Sequence, residues 1–323
     1  MSFNRFILEE QYKKVKGLGD RLALMKQQID WKPFIPLVKS VFYDDKKQGG
    51  RPHTDELVVV RSMLLQAWYN LSDPELEFQC HDRLSFRNFL GFPEKIPDFT
   101  TIWKIRDRLE ADGVDVLIWD ELQRQLDGKG FKVKKGTIQD AAFIEADLGK
   151  KRYRNEKKAR KKGETVKYTD KQRRHIDKDG SFSVKHGQVH YWYKSHVKLD
   201  VDHQLIRDVE VTTASVHDSK VDLSKHDEVV YRDRGYTGKE TIAIGNASMK
   251  RGNLSIRNKL RNKRISKKRA PGERPFSVIK RTFNGDRTFV KTLPRVRVKE
   301  MFKYFAYNLY QLVTLERKRV SGS

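Results

Sequence analysis

The chain has 323 residues, with 68 Lys and Arg against 43 Asp and Glu, a formal net charge of +25. Apolar residues make up 37 % and aromatics 11 %, enough for a core, so wholesale disorder is excluded and the length fits about two domains. The single cysteine, Cys80, excludes an internal disulfide and points to a reducing compartment. No apolar run approaches the ~20 residues of a membrane span, and Met1-Ser2-Phe3-Asn4-Arg5 lacks the layout of a signal peptide. A soluble, cytoplasmic protein is expected.

Residues 1–50 read as an N-terminal extension, with a linker over Lys46-Lys47-Gln48-Gly49-Gly50-Arg51-Pro52. A helix rich in Leu, Val and Met is predicted from Thr54 to Tyr69. Ser72-Asp73-Pro74-Glu75 is a capping box with Pro in the first turn, and behind it Leu76, Cys80 and Leu84 recur every fourth residue. Thr100 or Thr101 can cap a third helix, with Ile102, Ile105 and Leu109 inward and Lys104, Arg106 and Arg108 outward. Helices with a basic outer face over residues 51–130 suit a helix-turn-helix-like DNA-binding domain, and equally an ordinary helical bundle.

The texture changes at residue 131. Gly136 and Gly149 bound a buried strand that carries Asp140. Residues 150–174, with 13 Lys and Arg against 3 acids and no apolar periodicity, read as an inserted loop. His190–Asp200 and Leu205–Val211 form a hairpin, and Glu228–Tyr231 a fourth strand stopped by Asp233-Arg234-Gly235. Residues 250–299 are the second basic stretch, with 18 Lys and Arg against 2 acids. A final helix carries Phe302, Phe305, Leu309 and Val313 on one stripe. The two stretches hold the whole positive excess, and such concentrated charge is the footprint of phosphate-backbone binding.

Three carboxylates stand at strand and helix ends: Asp140 in the first strand, Asp233 after the fourth, and Glu273 near the start of a predicted helix. Acids drawn together from distant positions in a basic protein are what divalent-metal catalysis on a phosphodiester requires. Without metal they would repel DNA. Position alone does not single them out, since one Asp at a strand end is ordinarily a turn former.

At this point a resemblance enters. Gly50-Arg51-Pro52, Leu71-Ser72-Asp73-Pro74-Glu75-Leu76, Asp82 to Leu90 and Pro97 to Thr101 resemble the N-terminal region of insertion-sequence transposases of the insertion-sequence-five group. The series continues in order through Gln139 to Ala146, Tyr193 to His196, Val211 to Ser219, Tyr231 to Gly238, Glu273 to Phe276, Lys280 and Ala306 to Leu309. The resemblance implies an α/β catalytic core, a ribonuclease-H-like mixed sheet flanked by helices over residues 131–323 with a basic insertion at 150–190, preceded by an all-α DNA-binding domain. It implies an Asp-Asp-Glu triad of Asp140, Asp233 and Glu273 holding two Mg²⁺ ions, for which Mn²⁺ can substitute. Arg269, Glu273 and Lys280 match its Arg-x3-Glu-x6-Lys pattern, which makes Arg269 and Lys280 DNA contacts alongside Lys104, Arg106 and Arg108. Cleavage at terminal inverted repeats and strand transfer into target DNA follow, by a homodimer on DNA in a prokaryotic, nucleoid-associated setting.

Three departures stand out. Ser266 replaces a Tyr three residues before Arg269, Pro275 closely follows Glu273, and Gln139 and Ala142 replace an apolar residue and Thr beside Asp140. Pro275 puts Glu273 at the lip of its helix. Rival site residues are Glu145, which faces the other side of the strand, the pair His217-Asp218, and His190, His196 and Trp192, for which turn and packing roles are the plainer account. The rival functions are a catalytically silent, domesticated DNA-binding protein, a structural RNA-binding protein, and a repair or resolving nuclease with a similar core.

Overall fold

The computed structural model describes residues 3–42, 53–147, 150–170, 172, 176–185, 187–236 and 245–321. The expected linker and the Thr237-Gly238 end of the Asp-Arg-Gly-Tyr element lie outside them. The N-terminal part is helical: α1 (Phe3–Gly17), α2 (Arg21–Lys26), α3 (Phe34–Lys39), α4 (Glu56–Tyr69), α5 (Asp73–Asp82), α6 (Leu84–Leu90), α7 (Phe99–Ala111) and α8 (Val114–Gly128). Side-chain caps start several of them. Asp55 accepts from Val58 N–H, Ser72 from Glu75 N–H and Asp98 from Thr101 N–H.

Two local expectations are corrected. Thr100 and Thr101 lie inside α7, because Asp98 is the better acceptor and takes the cap. Leu84 does not continue the α5 stripe: Arg83 adopts an extended conformation (φ −93°, ψ 122°), ending α5 and starting α6.

A six-stranded mixed sheet follows, built from β1 (Thr137–Glu145), β2 (Ser181–Lys185), β3 (Gln188–Asp200), β4 (Ile206–Thr213), β5 (Val229–Arg232) and β6 (Gly245–Ser248). The order is β2-β3-β1-β5-β6, and β4 also pairs with β3. β3 runs antiparallel to β1, β2 and β4, whereas β1, β5 and β6 are parallel. Gly136 makes the β1–β5 junction possible, since its φ is +94° and a Cβ there would lie 2.4 Å from the Val229 carbonyl oxygen.

The basic segment after β1 is not a loop. Lys150–Lys161 form α9, because twelve residues without Gly or Pro, rich in Lys and Arg, favour a helix even without an apolar stripe. The C-terminal elements are α10 (Ile256–Arg269), a 3₁₀ turn (Ala270–Gly272), α11 (Glu273–Thr282) and α12 (Leu293–Ser321).

α12 is buried almost all round from Val298 to Leu309, because it lies between the N-terminal helices and the sheet. Phe305 stacks on Trp31 (6.4 Å between centroids, 6° between planes). On the sheet side Asn308 satisfies the edge of β4, accepting from Ile206 N–H and donating to its carbonyl at 2.8 and 2.9 Å. One apolar cluster therefore runs from Leu22 and Leu65 through Leu109 and Ile138 to Phe305 and Leu312. No helix among the described residues is long and apolar enough to cross a membrane.

Candidate active site

Asp140 is the fourth residue of β1, with its side chain about a quarter exposed (26 %). Its Oδ1 accepts from Ala141 N–H at 2.9 Å and its Oδ2 from Arg269 Nη2 at 2.8 Å. Burial pushes the Asp140 carboxyl above its ordinary value and the charge of Asp233 adds to the rise, while Arg269 and the Ala141 N–H pull against it. Arg269 ends α10, so the short turn to α11 brings a cation onto the acid of the central strand.

Asp233 directly follows β5, the parallel neighbour of β1. Its Oδ1 accepts from Gly235 N–H at 2.7 Å and shapes the turn. A Cβ at Gly235 would stand 2.9 Å from that oxygen, which accounts for the glycine. Tyr236 closes the turn, wholly buried, and its hydroxyl has no hydrogen-bond partner among the described residues. Burial and the charges of Asp218, Asp140 and Asp233 hold that hydroxyl well above the usual tyrosine range.

Glu273 is the first residue of α11 and is exposed. Pro275, third in the helix, forfeits nothing, since its position has no helical acceptor to bond. Gly272 packs against β1, where a Cβ would lie 3.0 Å from Ile138 Cγ2. The start of α11 thus abuts the strand two residues before Asp140. Even so, no group of three or more His, Cys, Asp or Glu among the described residues is placed to hold a metal ion. Asp140 and Asp233 feel each other's charge; Glu273 stands outside that pair.

The chemistry of the two aspartates fits a divalent cation. They are hard oxygen donors in a part-buried position, the charge of Asp233 adds to the cost of ionising Asp140, and a guanidinium already answers Asp140.

Residues 126–309 match the family described as Transposase DDE domain, and residues 9–108 match the one described as Transposase domain (DUF772). The chain belongs to the DDE transposases. It is an enzyme of a family that generally uses divalent metal. No solved structure matches it.

The transposase distributes its expected DNA contacts unevenly. Lys104 is exposed and lines a groove of 930 Å³ with Arg61, Lys95 and Arg108. Lys280 is exposed on α11, 3.8 Å from Asp286. Arg108 is half-buried and donates to the Val41 carbonyl at 3.1 Å. Arg106 does not face out. It is 1 % exposed and donates to Gln66 Oε1 at 2.8 Å and to both oxygens of Asp73. The inward face of α7 is wider than the 102-105-109 stripe, and Arg106 follows Ile102 by four residues, which turns it into the helical interior. Arg269, expected on phosphate, is engaged with Asp140.

The rival residues have structural partners. His217 caps a short 3₁₀ helix through Ser219, and Asp218 pairs with the buried Lys194 at 2.9 Å. His196 is buried on Thr212 at 3.0 Å, and Trp192 packs on Phe143 and His190. Glu145 pairs with Arg287 at 3.3 Å. Sequence reasoning missed the cluster of the buried Gln139 and Arg232, next to the two aspartates in the chain, with the part-exposed Asp222. The available signal was a polar residue directly before each acid of a buried strand.

Proposed function

We propose that this transposase cleaves the ends of a mobile element of the insertion-sequence-five group and joins them to target DNA, using Mg²⁺ held by Asp140, Asp233 and Glu273. The single observation that carries the reading is that Asp140 and Asp233 each follow by two residues the paired Ile138 and Tyr231 of adjacent parallel strands, with the charge of Asp233 felt at Asp140. The strand order, with β3 antiparallel to β1, β2 and β4 and with β5 and β6 parallel beside β1, supports a ribonuclease-H-like core over residues 131–323. The domestication reading has no observation in its favour.

When bound, divalent cations neutralise the charge that develops on a phosphodiester under attack and sharpen the attacking hydroxyl. The chain's own residues do the rest. Asp140 is held on β1 and Asp233 in the turn that leaves β5, which fixes the reacting geometry. Glu273 is the third carboxylate, carried by the helix that adjoins β1. Arg269 leaves Asp140 for a DNA phosphate, and Lys280, two turns beyond Glu273, holds a second phosphate. Lys104 and its groove grip the terminal inverted repeat within a helical domain over residues 51–130, and α9 and α10 supply backbone attraction. Joining two ends requires two copies on DNA, in the cytoplasm at the nucleoid.

The test incubates the transposase with a terminal-repeat duplex, a plasmid target and Mg²⁺. Asp140→Asn is expected to lose cleaved and joined products while still shifting the duplex in a gel; undiminished products would refute the assignment.

A further inference from the structure

The parallel ladder between β1 and β5 is short. Thr137 pairs with Val230 and Ile138 with Tyr231, and main-chain pairing stops there. The next residues along the two strands are Gln139-Asp140 and Arg232-Asp233. Side chains take over where the main chain ends. Arg232, wholly buried, donates from Nε and Nη2 to Gln139 Oε1 at 3.1 and 2.7 Å, and its Nη2 also reaches Asp222. Gln139, equally buried, donates from Nε2 to the Val221 carbonyl at 2.9 Å and receives Leu223 N–H at 3.4 Å.

We propose that Gln139, Arg232 and Asp222 form a clamp that sets the separation of Asp140 and Asp233, and thereby the affinity of that carboxylate pair for a divalent cation. The proposal rests on the reading of those aspartates as metal-holding. Successive residues of β1 point to opposite faces, so Gln139 works from the side away from Asp140. The clamp's stiffness comes from the planar guanidinium fork and from the charge-assisted bond to Asp222. The clamp also explains why Gln139 stands where the family often has an apolar residue. A buried amide is costly without partners, and Arg232 is costly without an acceptor, so the two residues require each other.

The roles are positioning ones, and calorimetric titration of the full chain with Mn²⁺, run beside thermal melts, tests them. Gln139→Leu and Arg232→Lys are expected to weaken Mn²⁺ binding about 10- to 100-fold, the usual cost of losing a residue that orients a ligand. Gln139→Glu keeps an acceptor for the guanidinium and is expected to restore binding to the wild-type range. Ile138→Val, a core change on the same strand, lowers the melting temperature and leaves Mn²⁺ affinity unchanged. Wild-type affinity in Gln139→Leu overturns the proposal, as does a loss that Ile138→Val reproduces at equal melting temperature. If Gln139→Leu does not fold, Arg232→Lys decides: wild-type affinity there overturns the clamp. Asp140→Asn separates the two layers. Lost binding in Asp140→Asn with full binding in Arg232→Lys removes the clamp alone, whereas full binding in Asp140→Asn removes the metal-holding reading and the clamp with it.

Discussion

An arginine–aspartate pair stands in each half of the molecule, the first largely buried and the second part-exposed, and the two have opposite electrostatic outcomes. In the helical half, Arg106 meets Asp73 and Gln66 with its guanidinium saturated on that side. Burial alone would raise the Asp73 carboxyl, but the hydrogen bonds and charge of Arg106 outweigh it and hold Asp73 below the usual range. In the sheet half, Arg269 gives Asp140 a single bond, and burial with the charge of Asp233 leaves Asp140 above the usual range. Identical residue types thus act as a fastener in one place and, in the other, as a site short of positive charge. Burial makes most of the difference, since the one bond from Arg269 does not offset it as the Arg106 fork and Gln66 do at Asp73, and the charge of Asp233 adds to the rise.

Breaking the fastener is expected to have the largest effect on stability. Arg106→Met strands a buried carboxylate at a cost of about 3–5 kcal/mol, read by denaturant unfolding, and it leaves the salt dependence of DNA binding unchanged. Arg269→Gln removes a part-exposed pair (18 % and 26 %). Its expected stability cost is at most about 1 kcal/mol, while Mn²⁺ binding tightens because a competing cation is gone. Equal destabilisation by the two variants would erase the contrast.

Lys299 gives a pH-dependent version of the same comparison. Burial, with the charges of Lys303 and Arg106, lowers its pKa to about 7, although Glu300 and Asp73 pull the other way. Between that value and its unfolded pKa the unfolded chain holds a proton the folded chain has released, so stability climbs as pH rises from about 7. Lys299→Met is expected to remove this slope, of up to about 1.4 kcal/mol per pH unit, in thermal melts across pH 7–10. The smallest expected effect is at the surface. Lys104→Ala lowers the salt slope of DNA binding by about one, and an unchanged slope would remove Lys104 from the interface.

Much of the fold was legible where periodicity and capping agree. The α4 helix, the start of α5, the Ile102-Ile105-Leu109 face, the β3–β4 hairpin and the C-terminal stripe each rest on capping or apolar spacing that the fold uses. Two elements that escaped notice lack such spacing, whereas α8 escaped despite its Val114-Ile118-Leu122-Leu126 stripe. α9 is a solvated helix with no apolar face, and β6, Gly245–Ser248, has no strand-forming residues and exists because β5 offers it an edge. Arg106 was misread because a narrow stripe was assumed for a helix packed on a broad face. At the site, Asp140 and Asp233 were singled out by the resemblance, since a carboxylate in or after a strand is ordinarily a turn former. The pairing of Arg269 with Asp140 was not legible, since 129 residues separate them in the chain and only the turn from α10 into α11 brings them together.

On the proposed function, Asp140 and Asp233 share a divalent cation. Paramagnetic resonance of Mn²⁺ titrated into the transposase bound to a terminal-repeat duplex measures this directly. The account predicts that Asp140→Asn and Asp233→Asn each lose bound Mn²⁺ while retaining the DNA; wild-type Mn²⁺ occupancy in either variant would contradict it.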